Sequence, residues 1–167
     1  MDRLYSPWRS KYIESFKVHS AVPEKNDCIF CSAIRESNDQ ERLLVHRGKT
    51  AFVIMNLYPY NSGHMMIVPN RHTADFGSLS AEENAECSKL LQLAQTALHE
   101  LSRPHGYNIG MNIGKSGGAG IDDHLHWHIV PRWNGDTNFM PTIADVKMVS
   151  EDMDRQWEKL HNFFQNS

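Results

Sequence analysis

At 167 residues, 40% of them hydrophobic and 22% charged, the chain predicts one globular domain large enough to bury a real core. A formal net charge of −3 excludes a general electrostatic attraction to nucleic acid, so any such role would need a local patch. Three cysteines are too few, and odd in number, for a disulfide framework.

Taken in order, residues 1–27 predict an N-terminal arm, and residues 28–167 a single domain. Leu4, Tyr5, Trp8, Tyr12 and Ile13 give the arm apolar surface. Its charges fit neither a signal peptide nor a membrane span. The expectation is a cytoplasmic protein without a membrane partner, in which Cys28-Ile29-Phe30-Cys31 reads as metal or redox chemistry. Residues 28–34 predict the start of a short helix or a turn, and residues 35–41 a polar loop.

Residues 43–46 and 51–57 predict strands about a turn at Gly48-Lys49. The run Leu57-Tyr58-Pro59-Tyr60-Asn61-Ser62-Gly63 is turn chemistry before a further strand over 64–69. Ser80, three residues before Glu83, is a capping box. Cys87, Leu90, Leu91, Ala94, Leu98 and Leu101 then form one apolar helical stripe, which Pro104 and Gly106 end. Residues 106–112 read as a strand with Asn108, Gly110 and Asn112 on one face. A glycine-rich loop over 114–120 follows, and residues 150–165 return to a helical pattern through Met153, Trp157, Leu160 and Phe164. Hairpin, helix, two strands and a late helix predict an α+β domain: an antiparallel sheet with helices packed on it.

Between the loop and the late helix lies His124-Leu125-His126-Trp127-His128-Ile129-Val130-Pro131-Arg132, where histidines alternate with apolar residues at a strand's period of two. One such histidine would be an exposed strand residue of no consequence. Three on one face beside a glycine loop point to chemistry near neutral pH. Two chemistries fit: a His-x-His pair chelating a catalytic zinc, or a neutral imidazole attacking phosphorus. Backbone N–H groups of the loop Gly114-Lys115-Ser116-Gly117-Gly118-Ala119-Gly120 could surround an anion, which favours phosphorus. The loop is neither a Walker A motif nor a dinucleotide fingerprint. Cys28 and Cys31 need two more ligands to hold a structural zinc, and His72 and His124 are the candidates. Cys87 reads as core, and His19, His46, His99, His105 and His161 as surface.

His124 to Val130 resembles the defining motif of the histidine triad (HIT) family, and the likeness extends over residues 28–139. The stretch from Asn56 to His64 is similar to the family's nucleotide-contacting hairpin. Pro131-Arg132-Trp133-Asn134-Gly135-Asp136, Leu4-Tyr5-Ser6-Pro7-Trp8-Arg9 and Ser102-Arg103-Pro104-His105-Gly106 resemble the branch of diadenosine tetraphosphate hydrolases and phosphorylases. The resemblance implies a homodimer with a small nucleotide as substrate and His126 as the nucleophile on the α-phosphorus. It gives His128 the phosphate and leaving group, Asn56 the ribose, Asn112 a place near the phosphates, and Gly117 and Gly118 backbone donors. It also implies a supporting zinc on Cys28, Cys31, His72 and His124. The rival expectations are a purine nucleoside phosphoramidase, a zinc-dependent hydrolase with His126 and His128 as ligands, and a non-catalytic nucleotide sensor.

Overall fold

The computed structural model describes residues 28–137 and 152–167; the arm over 1–27 and residues 138–151 lie outside the described residues. Helix α1 (Ile29–Arg35) leads into strands β1 (Leu44–Arg47), β2 (Ala51–Met55) and β3 (Met65–Pro69). The long helix α2 (Ala81–Ser102) is followed by β4 (Gly106–Met111), β5 (Trp127–Arg132) and helix α3 (Met153–Gln165). The five strands form one antiparallel sheet in the order β1-β2-β3-β5-β4. This is the α+β arrangement that the order of elements predicts.

The capping box forms as read: Ser80 accepts from the Glu83 amide, and the Glu83 carboxylate accepts from the Ser80 amide at 2.7 Å. Cys87, Leu90, Ala94 and Leu98 then face the sheet, whereas Leu101 ends the stripe exposed. Arg103, in the left-handed region at φ 44°, terminates the helix. Helix α3 completes this layer. Its Trp157 indole donates to the Leu44 carbonyl at 2.9 Å, and the Gln156 amide oxygen accepts from the buried Gly63 amide at 3.0 Å.

Both faces of the sheet are covered over β2 and β3, while the middle of β4 is exposed. On one, Val45, Val53, Met65, Ile67 and Ile129 pack against α2 and α3. On the other, Phe52, Ile54, Met66 and Val68 pack against Phe30 and Ala33 of α1. Strands β2 and β3 are therefore buried along their whole length, which is why they read as continuous apolar runs. Cross-strand partners share a face, and Met66 pairs with His128, so the histidines lie on the α1 side. Two of the assigned surface histidines are packed instead: His161 hydrogen-bonds the Val45 carbonyl at 2.8 Å and stacks on Trp157, and half-buried His46 lies against Phe164. No helix among the described residues is long and apolar enough to cross a membrane.

Candidate active site and metal centre

The ladder of β5 begins at Trp127, so His124, in a bend, and His126 precede the strand and His128 lies within it. That placement lets the first two rings turn toward α1 rather than lie flush with the sheet. Both are almost fully buried, at 1% and 4% exposure. Phe30 of α1 lies against both, with ring centroids 5.4 Å from His124 and 5.1 Å from His126.

At the end of the segment nearest α1, Cys28, Cys31, His72 and His124 converge, each offering one ligand atom, with all four atoms within 4.8 Å of one another. The separations are 3.2 Å from Cys28 Sγ to His124 Nδ1, 3.4 Å from Cys31 Sγ to His72 Nδ1, 3.6 Å from Cys31 Sγ to His124 Nδ1 and 3.2 Å between the two Nδ1 atoms. Bond lengths typical of zinc with sulfur and nitrogen give tetrahedron edges of roughly 3.3–3.8 Å, which these distances match. His124 Nε2 lies 2.9 Å from the Pro69 carbonyl, to which it donates. The lone pair is thereby left on Nδ1, the atom that faces the cysteines. Burial holds His124 down to about 4, so the ring is the neutral, ligating form. Burial likewise pushes the Cys28 thiol up to about 11, a penalty on the thiolate that a cation would offset. The donor set therefore fits a closed metal site, and it is the four-residue set that the sequence suggests.

At the other end, three backbone groups fix the proton positions. His126 Nδ1 lies 2.9 Å from the His124 carbonyl, to which it donates, leaving Nε2 as the unprotonated nitrogen. The Tyr60 backbone amide, which can only donate, reaches His64 Nδ1 at 3.1 Å. His64 therefore carries its proton on Nε2, which lies 2.9 Å from His128 Nδ1. His128 must accept there, so its own proton sits on Nε2. Asn56 belongs to the same chain: its carbonyl oxygen accepts from Tyr58 N at 3.0 Å, turning its amide nitrogen toward His64 Nδ1 at 3.3 Å. Burial lowers His126, and lowers His128 to about 4, so both rings are neutral near pH 7.

His126, His128, Asn56, Asn112 and Gly118 line a cleft of about 660 Å³ whose walls include Phe30, Ile54 and Tyr58. Apolar walls with a few convergent polar groups are the usual make-up of a small-molecule site. The resemblance gives Gly117 and Gly118 the part of backbone donors. Their amides donate to the Gly114 and Lys115 carbonyls at 3.1 and 3.0 Å, closing a single 3-10 turn, so in this conformation they point into the loop. The Asn112 amide steadies the loop through the Gly118 carbonyl at 3.5 Å. A further element is the carboxylate of Asp136, the last residue of the run that begins at Pro131, which accepts from Arg132 Nε at 2.6 Å and from Asn61 Nδ2 at 2.7 Å. It ties the turn before His64 to the end of β5.

The HIT domain family matches residues 37–135. The chain is 38% identical over 156 residues to the AP-4-A phosphorylase of Mycobacterium tuberculosis, across 90% of this chain and 78% of that protein. Its fold is shared with a hypothetical histidine triad nucleotide-binding protein from Sulfolobus tokodaii, at a TM-score of 0.66 and 24% identity over 83% of this chain and 93% of that one. It is also shared with a zinc-bound histidine triad family protein from Mycobacterium smegmatis, at a TM-score of 0.65 and 22% identity over 84% of this chain and 94% of that one.

Proposed function

The chain belongs to the HIT family, and from that premise we propose that it cleaves dinucleoside polyphosphates, with diadenosine tetraphosphate the leading substrate, through a nucleotidyl–His126 intermediate. The relative's activity on AP-4-A supports the substrate. The observation that carries the mechanism is the pair of opposite tautomers on one cleft: an unprotonated Nε2 on His126 and a protonated Nε2 on His128.

The His126 Nε2 lone pair attacks the α-phosphorus, and the bond from phosphorus to the bridging oxygen breaks. The His128 Nε2–H hydrogen-bonds the oxygen on which charge collects, and a polyphosphate leaving group is too weak a base to need more. The nucleotidylated His126 ring carries a positive charge, which the His124 carbonyl stabilises through Nδ1–H. Water or inorganic phosphate then attacks the same phosphorus and releases His126 as a neutral imidazole. Asn56 takes the ribose, and Asn112 lies near the phosphates. Gly117 and Gly118 contribute amides only if the turn opens.

Zinc on Cys28, Cys31, His72 and His124 is a structural support in this scheme. Four ligands leave no place for substrate, and the metal would fix α1, whose Phe30 backs His126. Thiol ligands suit a reducing compartment, the cytoplasm. The described residues, 28–137 and 152–167, form one domain in this reading. Two copies join through the edge strand β4, in which Ile109 is 50% exposed and just past which Ile113 is 52% exposed.

Product analysis with labelled diadenosine tetraphosphate tests the proposal. ADP plus ATP with phosphate incorporated means phosphorolysis, and AMP plus ATP means hydrolysis. A phosphoramidase would instead prefer a nucleoside phosphoramidate, and a nucleotide sensor would bind and give no product.

A further inference from the structure

A second hollow meets the first at His128. Of about 390 Å³, it runs along β4 and β5 and is lined by Asn61, Asn108, Gly110, Val130, Arg132 and others. Tyr60, Asn112 and His128 line both hollows, whereas His126, Asn56 and Phe30 line the larger. His128 is thus a partition between two spaces, with the nucleophile on one side.

Two features say what the second space suits. Gly110 pairs with His128 across the ladder, so the two share a face. A Cβ added at Gly110 would meet nothing within 4 Å, and the residue has no positive φ that would demand glycine. Glycine inside a strand weakens it, and here what it preserves is room beside His128. The second feature is charge. The Arg132 guanidinium is matched by Asp136 at 2.6 and 2.8 Å, and its remaining arm donates to the Asn108 side-chain oxygen at 2.6 Å. The hollow therefore offers amide and apolar surface rather than a bare cation, which suits an uncharged nucleoside better than a chain of phosphates.

In-line displacement requires the leaving oxygen to depart opposite the attacking nitrogen. His126 lines only the larger hollow, and His128, the group given to the leaving oxygen, borders both, so a leaving nucleotide that departs past His128 enters the second hollow. We propose that the second hollow holds the base and ribose of the leaving nucleotide, so that the substrate straddles His128 with one nucleoside on each side. This rests on the dinucleotide-cleaving function proposed above.

The test compares two substrates in the full-length protein: diadenosine tetraphosphate, and an adenosine phosphofluoridate whose leaving group is a single atom. Gly110→Val fills the hollow with a residue that strands favour. The ratio of kcat/KM for the dinucleotide to that for the phosphofluoridate should fall about tenfold. Asn108→Leu, which removes the amide and leaves the strand, should lower the same ratio in the same direction. An equal loss on both substrates, or no loss on either, overturns the leaving-nucleotide site. The dinucleotide-cleaving function fails separately, if the unaltered protein turns over the phosphofluoridate and leaves the dinucleotide intact.

Discussion

The two ends of the histidine segment are built from the same parts and arranged to opposite effect. At each end a backbone carbonyl takes a ring N–H: Pro69 for His124 through Nε2, and His124 for His126 through Nδ1. The choice of nitrogen decides the rest. His124 turns Nδ1 toward three other donors and is closed off. His126 keeps Nε2 for a cleft. The difference shows that a histidine's job is set less by its place in a motif than by which of its nitrogens the backbone claims.

If the ends differ in this way, damage to each should read out in a different measurement. The largest effect belongs to the open end: His126→Ala should lower kcat by about 10³-fold or more while the melting temperature stays within a few degrees of the parent. Full turnover in that variant would sink the covalent scheme. Next, His64→Phe keeps a flat ring in the buried position but removes the donor to His128. It should lower kcat by about 10²-fold, with KM changed far less, since what is lost is proton placement. An unchanged kcat would mean that His128 finds its tautomer unaided.

At the closed end, chelation or Cys28→Ser should lower the melting temperature by about 10 °C, on the basis of ~3 kcal/mol lost from a chain of this size. The protein that remains folded should keep most of its kcat. Prompt, reversible loss of turnover on chelation would instead make the metal catalytic. The smallest effect lies away from both ends. Arg71 beside Glu83 holds that carboxyl down to about 2, below its ordinary 4.5. Its contribution is therefore present above pH 4.5 and lost as pH falls toward 2. Glu83→Gln keeps an acceptor for the Ser80 amide but loses the charge facing Arg71, so it should cost about 1 kcal/mol at neutral pH and should flatten the fall in melting temperature across that acid window.

Much of the closed end was legible beforehand because metal geometry is demanding. Cys-x-x-Cys announces two ligands, and few histidines at chain corners remain to complete four. The strands and α2 were legible from periodicity and from the box at Ser80. His64 was harder, since nothing in residue spacing links it to His128 across 64 positions. Its part follows from one amide, Tyr60 N, whose direction exists only once the turn is folded. The glycine loop was hard to read for the opposite reason. Its composition permits inward-facing amides, but those of Gly117 and Gly118 close the loop's own turn. His46 and His161 carry no pattern because the contacts that bury them come from opposite ends of the chain.

The bond from Gly63 N to Gln156 bears on how the enzyme comes into being. Gly63 sits at φ +81°, where a Cβ would lie 2.8 Å from Leu98, immediately before His64. The hairpins β1–β2 and β2–β3 join neighbours in sequence and can form as soon as they are made. The anchor of the turn that orients His64 spans 93 residues. A nascent chain halted before residue 156 would thus own every histidine of its site and still lack the peg that sets their alignment. Turnover should switch on only once α3 has been made and docks.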